Sequence, residues 1–382
     1  MDKISKIKKI LNDSIQKIND KYIKRNSKIS FKDVIYGLSL KSLNNYSYDK
    51  VVYELNKSRV SKFSKSGFIN KSNYIDYKTI ENINNNLLNY VYNDSKRRIL
   101  SVDGSNLRNL KIFKKHDFRF SSNTENYTLS VIGGLYDVDK NIPINYTHSN
   151  ILDERKIFKS QLKYIKKNDI LLFDRGYYSK ELNDILDNMN VFYIFRLKST
   201  YNTVKHMINN NLKECIFNNT FKYKIINYKI YEEEYYVLTN LLEKDNEEIK
   251  ELYKKRWNIE VHYKELKYTT SLKDSNSKNI NTFLKEISIH NFIYILYYYF
   301  YDCIKQFINK DNTKYKINNK LTLEIFIKDI LNILIYNKKY KKQVLDIINF
   351  FPITYIHKND RHYERISKRK VSMWYIKKKK EK

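Results

Sequence analysis

Through residues 1 to about 95, apolar positions recur at three- and four-residue steps between polar breaks, as in SYDKVVYELNKSRVSKF at 47–63. That period belongs to amphipathic helices, so the stretch predicts a small basic helical domain. Its opening, MDKISKIKKILNDSIQ, reads as an amphipathic helix rather than a signal peptide. The helix, break, helix pattern suits a DNA-reading unit or simple packing equally. At residue 99 the pattern shortens. ILSVDGS is a β-rich run ending in turn residues, and YTLSVIGGLYDV with NIPINYTH predicts a hairpin about the 137–141 turn. DERKIFKSQLKYIKK and SKELNDILDNM read as helices, DILLFD as a buried strand and VFYIFRLK as another. The order β, β, β, α, β, α, β predicts an α/β fold with a mixed sheet flanked by helices, its first three strands a meander. Residues 198–245 interrupt it with β-like pieces, FKYKIINYKIYEEEYYVLTNL, which predict a β-rich insertion. Its EEE at 232–234 reads best as an exposed strand end or turn.

Beyond residue 268 comes an apolar helix, expected over 282–308. Its most apolar run, Ile287 to Tyr301, contains His290 and Asn291, and is too short and too polar to span a bilayer. A buried core helix is the expectation, with KLTLEIFIKDILNILIY covering the sheet. The chain thus divides into a helical N-terminal domain (1–95), a core (96–308) interrupted at 198–245, and a helical C-terminal region (309–382). The last ends in the basic tail RHYERISKRKVSMWYIKKKKEK, read as a flexible phosphate-seeking arm.

Within the core, YKKRWNIEVHYKELK (253–267) reads as one helix. At about 100° per residue, Tyr253, Arg256, Glu260 and Lys267 fall at roughly 0°, 300°, 340° and 320°, one narrow polar face. Leu252, Ile259 and Leu266 form a parallel apolar stripe at roughly 220° to 260°. Such a helix docks by its stripe and leaves a phenol, a guanidinium, a carboxylate and an ammonium beside the seam, which suits an anionic ligand or a metal. Glu260 is also spaced four from both Arg256 and Lys264, so ordinary ion pairing on a solvated face is the competing explanation. Trp257, at roughly 40° on the wheel, is expected to pack.

Two further carboxylates bear on that choice. Asp103 closes the first strand in VDGS and Asp174 closes the buried strand in LLFDRGYY, where sheets of this kind place their sites. Singly, either serves as well as a turn or capping aspartate. Together with Glu260 they could hold two divalent cations about 3.5 to 4 Å apart, and hard oxygen donors favour Mg²⁺ or Mn²⁺ over zinc.

Composition narrows the partners. Lys and Arg total 73 against 42 Asp and Glu, a net charge of +31 spread along most of the chain, which draws polyanions and nucleic acid above all. An AT-rich coding sequence explains part of the Lys, Asn, Ile and Tyr excess, but not away the charge. Cys215 and Cys303 stand alone, without a CxxC or Cys/His cluster, which excludes a zinc finger and fits a reducing compartment. No membrane association is expected.

The spacing Y-(2)-R-(3)-E-(6)-K, carried by Tyr253, Arg256, Glu260 and Lys267, resembles the signature of the IS4-family DDE transposases. VDGS, DRGYYS, FYIFRLK and LTNL resemble that family's other landmarks in order, over roughly residues 90–270. The resemblance implies an RNase H-like catalytic core with Asp103, Asp174 and Glu260 as its triad. It further implies two metal ions per site, hydrolysis at transposon ends and attack of the freed 3′-OH on target DNA. The partners would be double-stranded DNA, both terminal inverted repeats and target, and the active form a homodimer bridged by DNA. Tyr253, Arg256, Lys267, Arg175, Arg196 and Lys198 would contact DNA. The setting would be the cytoplasm or nucleoid, or the nucleus in a eukaryotic host. One departure is that Trp occurs only at 257 and 374, outside the insertion where family members often hold a flipped base on an aromatic ring. A Tyr or Phe could substitute. Two other readings stand beside this one: a domesticated DNA-binding protein that no longer cuts, and an RNase H-fold nuclease with little sequence preference.

Overall fold

The computed structural model of the chain describes residues 2–22, 28–44, 46–57, 62–93, 97–110, 113, 119–121, 124–218, 222–230, 233–270, 272–275, 277–304, 315–337, 339–349, 351 and 353–355. The basic tail, with Trp374, and Glu232 of the acidic patch lie outside the described residues.

Five helices open the chain: α1 (Asp2–Tyr22), α2 (Phe31–Asn44), α3 (Tyr48–Asn56), α4 (Lys65–Asn73) and α5 (Tyr77–Val91). Ser47, Ser64 and Asp76 cap the last three, each side chain accepting a backbone N–H of the first turn. The sheet follows. Strands β1 (Ile99–Leu110), β2 (Arg119–Ser121), β3 (Thr124–Asp137) and β4 (Ile142–Ser149) are antiparallel, with β3 carrying β1 on one edge and both β2 and β4 on the other. After α6 (Glu154–Gln161), β5 (Ile170–Phe173) pairs parallel with β1; after α7 (Lys180–Asn188), β6 (Phe192–Arg196) pairs parallel with β5. All four residues of β5 are buried, as a strand covered on both faces requires. Phe173 and Phe195 stack across the β5–β6 rung at 4.4 Å.

The 198–245 segment begins with a helix that the apolar pattern did not single out, α8 (Asn202–Asn209), and continues as β7 (Glu214–Asn218), β8 (Lys222–Ile230) and β9 (Glu233–Thr239). These three strands join the main sheet through the antiparallel β6–β9 pair, which makes it nine-stranded. The next segment corrects one expectation. Instead of a single helix, α9 (Asn246–Lys254) passes through a 3₁₀ turn (Lys255–Trp257) into α10 (Asn258–Lys264) and then a π turn (Glu265–Thr269).

The two faces of the sheet are set by adjacent glycines of β3. A Cβ on Gly133 would meet Ile157 Cγ2 of α6 at 2.3 Å, and one on Gly134 would meet the Tyr263 hydroxyl of α10 at 2.7 Å. Successive strand residues face opposite ways, so α6 and α10 lie on opposite faces, each drawn close to bare backbone.

Helix α11 (Ile280–Ile304) is buried along most of its length between α5 and β4. Its polar residues are matched to that place. Lys285 donates to Ser72 O, Glu286 pairs with Lys41, and His290 bridges Glu286 O and Thr270 O at 2.6 and 3.0 Å. No helix among the described residues is long and apolar enough to cross a membrane. The segment expected to cover the sheet, α12 (Asn319–Ile325), a π turn and α13 (Leu331–Tyr336), packs instead on α1, α2 and α11, with Phe326 against Tyr297 and Phe300. Helix α11 already occupies the face beside β4. Helix α14 (Tyr340–Asn349) and the ribbon of β10 (Tyr315–Ile317) with β11 (Ile353–Tyr355) complete the described chain. Cys215 is half-buried and Cys303 buried, and the two form no disulfide with each other.

Candidate active site

The β1–β5 ladder ends at the rung Val102↔Phe173. One residue further, β1 continues along β3 while the other chain turns away at Asp174, with Tyr177 N–H closing the turn onto Asp174 O. Asp103 and Asp174 each stand one residue past the last rung the two strands share. Burial is the main cause that pushes the Asp103 carboxyl up to about 7; Arg256 and the Gly104 N–H oppose it, and Glu154 and Glu260 add to it. Asp174 Oδ1 is buried without a hydrogen-bond partner.

The broken helix is hung over the end of that ladder by polar contacts to the strands. Tyr253 donates to Phe173 O (3.2 Å), and Ser101 Oγ donates to Arg256 O (3.2 Å). Tyr263 reaches Asp103 O (2.7 Å) and Ile132 O (3.2 Å), and Lys267 reaches Ser105 Oγ (2.6 Å). These contacts fix where Glu260 stands. Its Oε1 accepts from Arg256 at 2.8 Å, and the Arg256 side chain, only 5 % exposed, also faces Asp174 and Asp103. A single buried guanidinium therefore sits among the three expected carboxylates.

Tyr253 lies differently from its place on the wheel. It is 2 % exposed and turned to the sheet, its hydroxyl donating to the last carbonyl of β5. The irregular turns also rotate Trp257 outward. At 50 % exposure it is not the packing residue expected. Arg175 and Lys198 are exposed at the rim. Arg196 pairs with Glu233 and lies 4.1 Å over the Tyr235 ring, which itself stacks on Tyr228. The insertion thus brings tyrosines, not tryptophan, toward the site.

Sequence reasoning missed two contributors. Tyr263, three residues after Glu260, ties the helix to Asp103. Glu154, first residue of α6, lies against Gly104 and is hydrogen-bonded by Tyr177. Its place after an aspartate cap gave no signal beyond an ordinary helix start.

As a donor set, these carboxylates suit a hard divalent cation, and the unpaired Asp174 oxygen has the chemistry of a ligand. No three His, Cys, Asp or Glu side chains among the described residues converge on one point, and Glu260 is engaged by Arg256.

Residues 94–296 match the family described as "Transposase DDE domain". No curated protein sequence matches the chain. Among solved structures, it is similar to one titled as a piggyBac transposase synaptic complex with hairpin DNA, with a TM-score of 0.53 and 12 % identity, covering 94 % of this chain and 86 % of that one. At that identity the likeness is one of fold, an RNase H-like mixed sheet flanked by helices, and it spans helices and sheet alike.

Proposed function

Because the chain belongs to the transposase DDE-domain family, matched over more than half its length, we propose that it excises and inserts a mobile DNA element. Asp103, Asp174 and Glu260 are its catalytic carboxylates. The observation that carries this is the end of the β1–β5 ladder, just past which two aspartates stand in neighbouring register beneath a helix tied to both strands. Two divalent ions, Mg²⁺ or Mn²⁺, held by Asp103, Asp174 and Glu260 would activate the attacking hydroxyl and stabilise the leaving oxygen at a phosphodiester. The chain's own groups do the rest. Tyr263 and Tyr253 fix the backbone at Asp103 and ahead of Asp174, and the Arg256 guanidinium offsets the charge of the carboxylates. Lys267, Arg175, Lys198, Arg196 and Arg256 would contact phosphates. In this reading the reaction is cleavage at terminal inverted repeats followed by 3′-OH transfer to target DNA, by a homodimer on DNA.

Purified protein incubated with a plasmid bearing the gene and its native flanks tests this, with Mg²⁺ or EDTA and beside Glu260→Ala. Strand ends mapped to the nucleotide should show paired cuts that need both metal and Glu260. Cutting without end preference and without joined product would support a nuclease, and end binding without any cut a DNA-binding remnant.

A further inference from the structure

We propose that Glu154 is a fourth carboxylate of this centre, seated beside Asp103 through the missing side chain of Gly104. The proposal rests on the catalytic reading above and extends it to a residue outside the triad. A Cβ at position 104 would lie 2.6 Å from Glu154 Cγ, Cδ and Oε1 alike, so the glutamate's carboxylate lies flat on the β1 backbone one residue from Asp103. Tyr177, 2 % exposed and three residues past Asp174, hydrogen-bonds it from the far side. Asp103 and Asp174 both act on it as like charges.

A purely local role does not account for this placement. Asp153 already caps α6, accepting from the N–H groups of Arg155 and Lys156 at 3.1 and 3.2 Å. A first-turn glutamate that only complemented the helix dipole would do so from water, at small gain. Glu154 instead leans inward, half-buried, toward two other carboxylates, an arrangement relieved by protons in the metal-free chain and by shared cations when these are bound. With Asp103, Asp174 and Glu260 it makes four carboxylates against the single guanidinium of Arg256. Glycine after Asp103 in VDGS is then a requirement of the site, since any larger residue would push the fourth carboxylate away.

Manganese uptake by the full-length, DNA-free chain, followed by electron paramagnetic resonance, separates this proposal from the reading beneath it. Glu154→Gln, Gly104→Ala and Asp174→Asn are compared with the wild type, thermal melts confirming that each is folded. Glu154→Gln and Gly104→Ala should each weaken Mn²⁺ binding by about tenfold or more, the scale seen when groups around a metal are altered, and Glu154→Asp should recover part of the loss. If Asp174→Asn loses the metal while Glu154→Gln stays within twofold of wild type, the fourth carboxylate is refuted and the triad stands. Wild-type protein that takes up no Mn²⁺, or Asp174→Asn that binds it unchanged, would overturn both.

Discussion

The carboxyl of Asp103 illustrates what one side chain endures where two strands part. Burial holds it at about 7, well above the ordinary carboxylate value of 3.8, against the pull of Arg256. Between those two values the folded chain keeps a proton that the unfolded chain has lost. This contribution therefore favours the fold at low pH and is lost as pH rises through about 7. Asp103→Asn should raise the melting temperature of the metal-free protein above pH 7, with little difference near pH 4. A pH series of melts in EDTA checks this, and equal melting of the two proteins at pH 8 would contradict it. Adding Mn²⁺ should reverse the order, since only the aspartate gains from a cation.

Between elements, the close approaches at Gly133 and Gly134 allow the two helices to grip the sheet from opposite sides. Gly134→Ala must displace the Tyr263 hydroxyl that bonds Asp103 O and Ile132 O, so we expect a loss of roughly 1–3 kcal/mol in urea unfolding together with impaired cleavage. Gly133→Ala presses on Ile157 of α6 and should destabilise comparably. If either variant unfolded at the wild-type urea midpoint, the helices would have room the structure does not show.

The same elements mark what could be read in advance. Order and type of the core strands were legible because ILLF and VIGGLY are long apolar or β-rich runs, and the strand-end aspartates followed from them. The far half of β1, GSNLRNL, was not, because its strand state comes from the ladder with β3 rather than from an apolar pattern. Nor was the break in the signature helix: tethers at Phe173, Ser101, Asp103 and Ser105 decide where it becomes 3₁₀ or π. Glu154 stayed hidden because only the folded chain brings α6 across Gly104.

At the scale of the molecule, the buried His262 and His290 and the half-buried His148 bear on acid stability. Burial lowers His148 to about 4 and His262 to about 3, and also lowers His290. His148 and His262 are neutral in the fold and protonated in the unfolded chain between those values and 6.5, so both contribute stability that is lost as pH falls through that window. His148→Gln should shift the acid-unfolding midpoint, followed by circular dichroism, to lower pH. An unchanged midpoint would show that His148 is protonated in the fold. With a net charge of +31, DNA affinity should also fall steeply with salt, by the release of condensed counterions. Binding isotherms between low and physiological ionic strength measure the slope, and a flat response would exclude the basic surface as the DNA face.

The excursion through α8 and β7 to β9 departs after Leu197 and comes back along the same sheet beside β6, Leu197 N–H donating to Tyr236 O at 2.8 Å. Departure and return share one rung, so the length of what lies between is uncoupled from the spacing of the carboxylates. For an engineer this is the splice point of the chain: a reporter domain or a lengthened turn placed at the β7–β8 connection would leave β1, β5 and β6 in register.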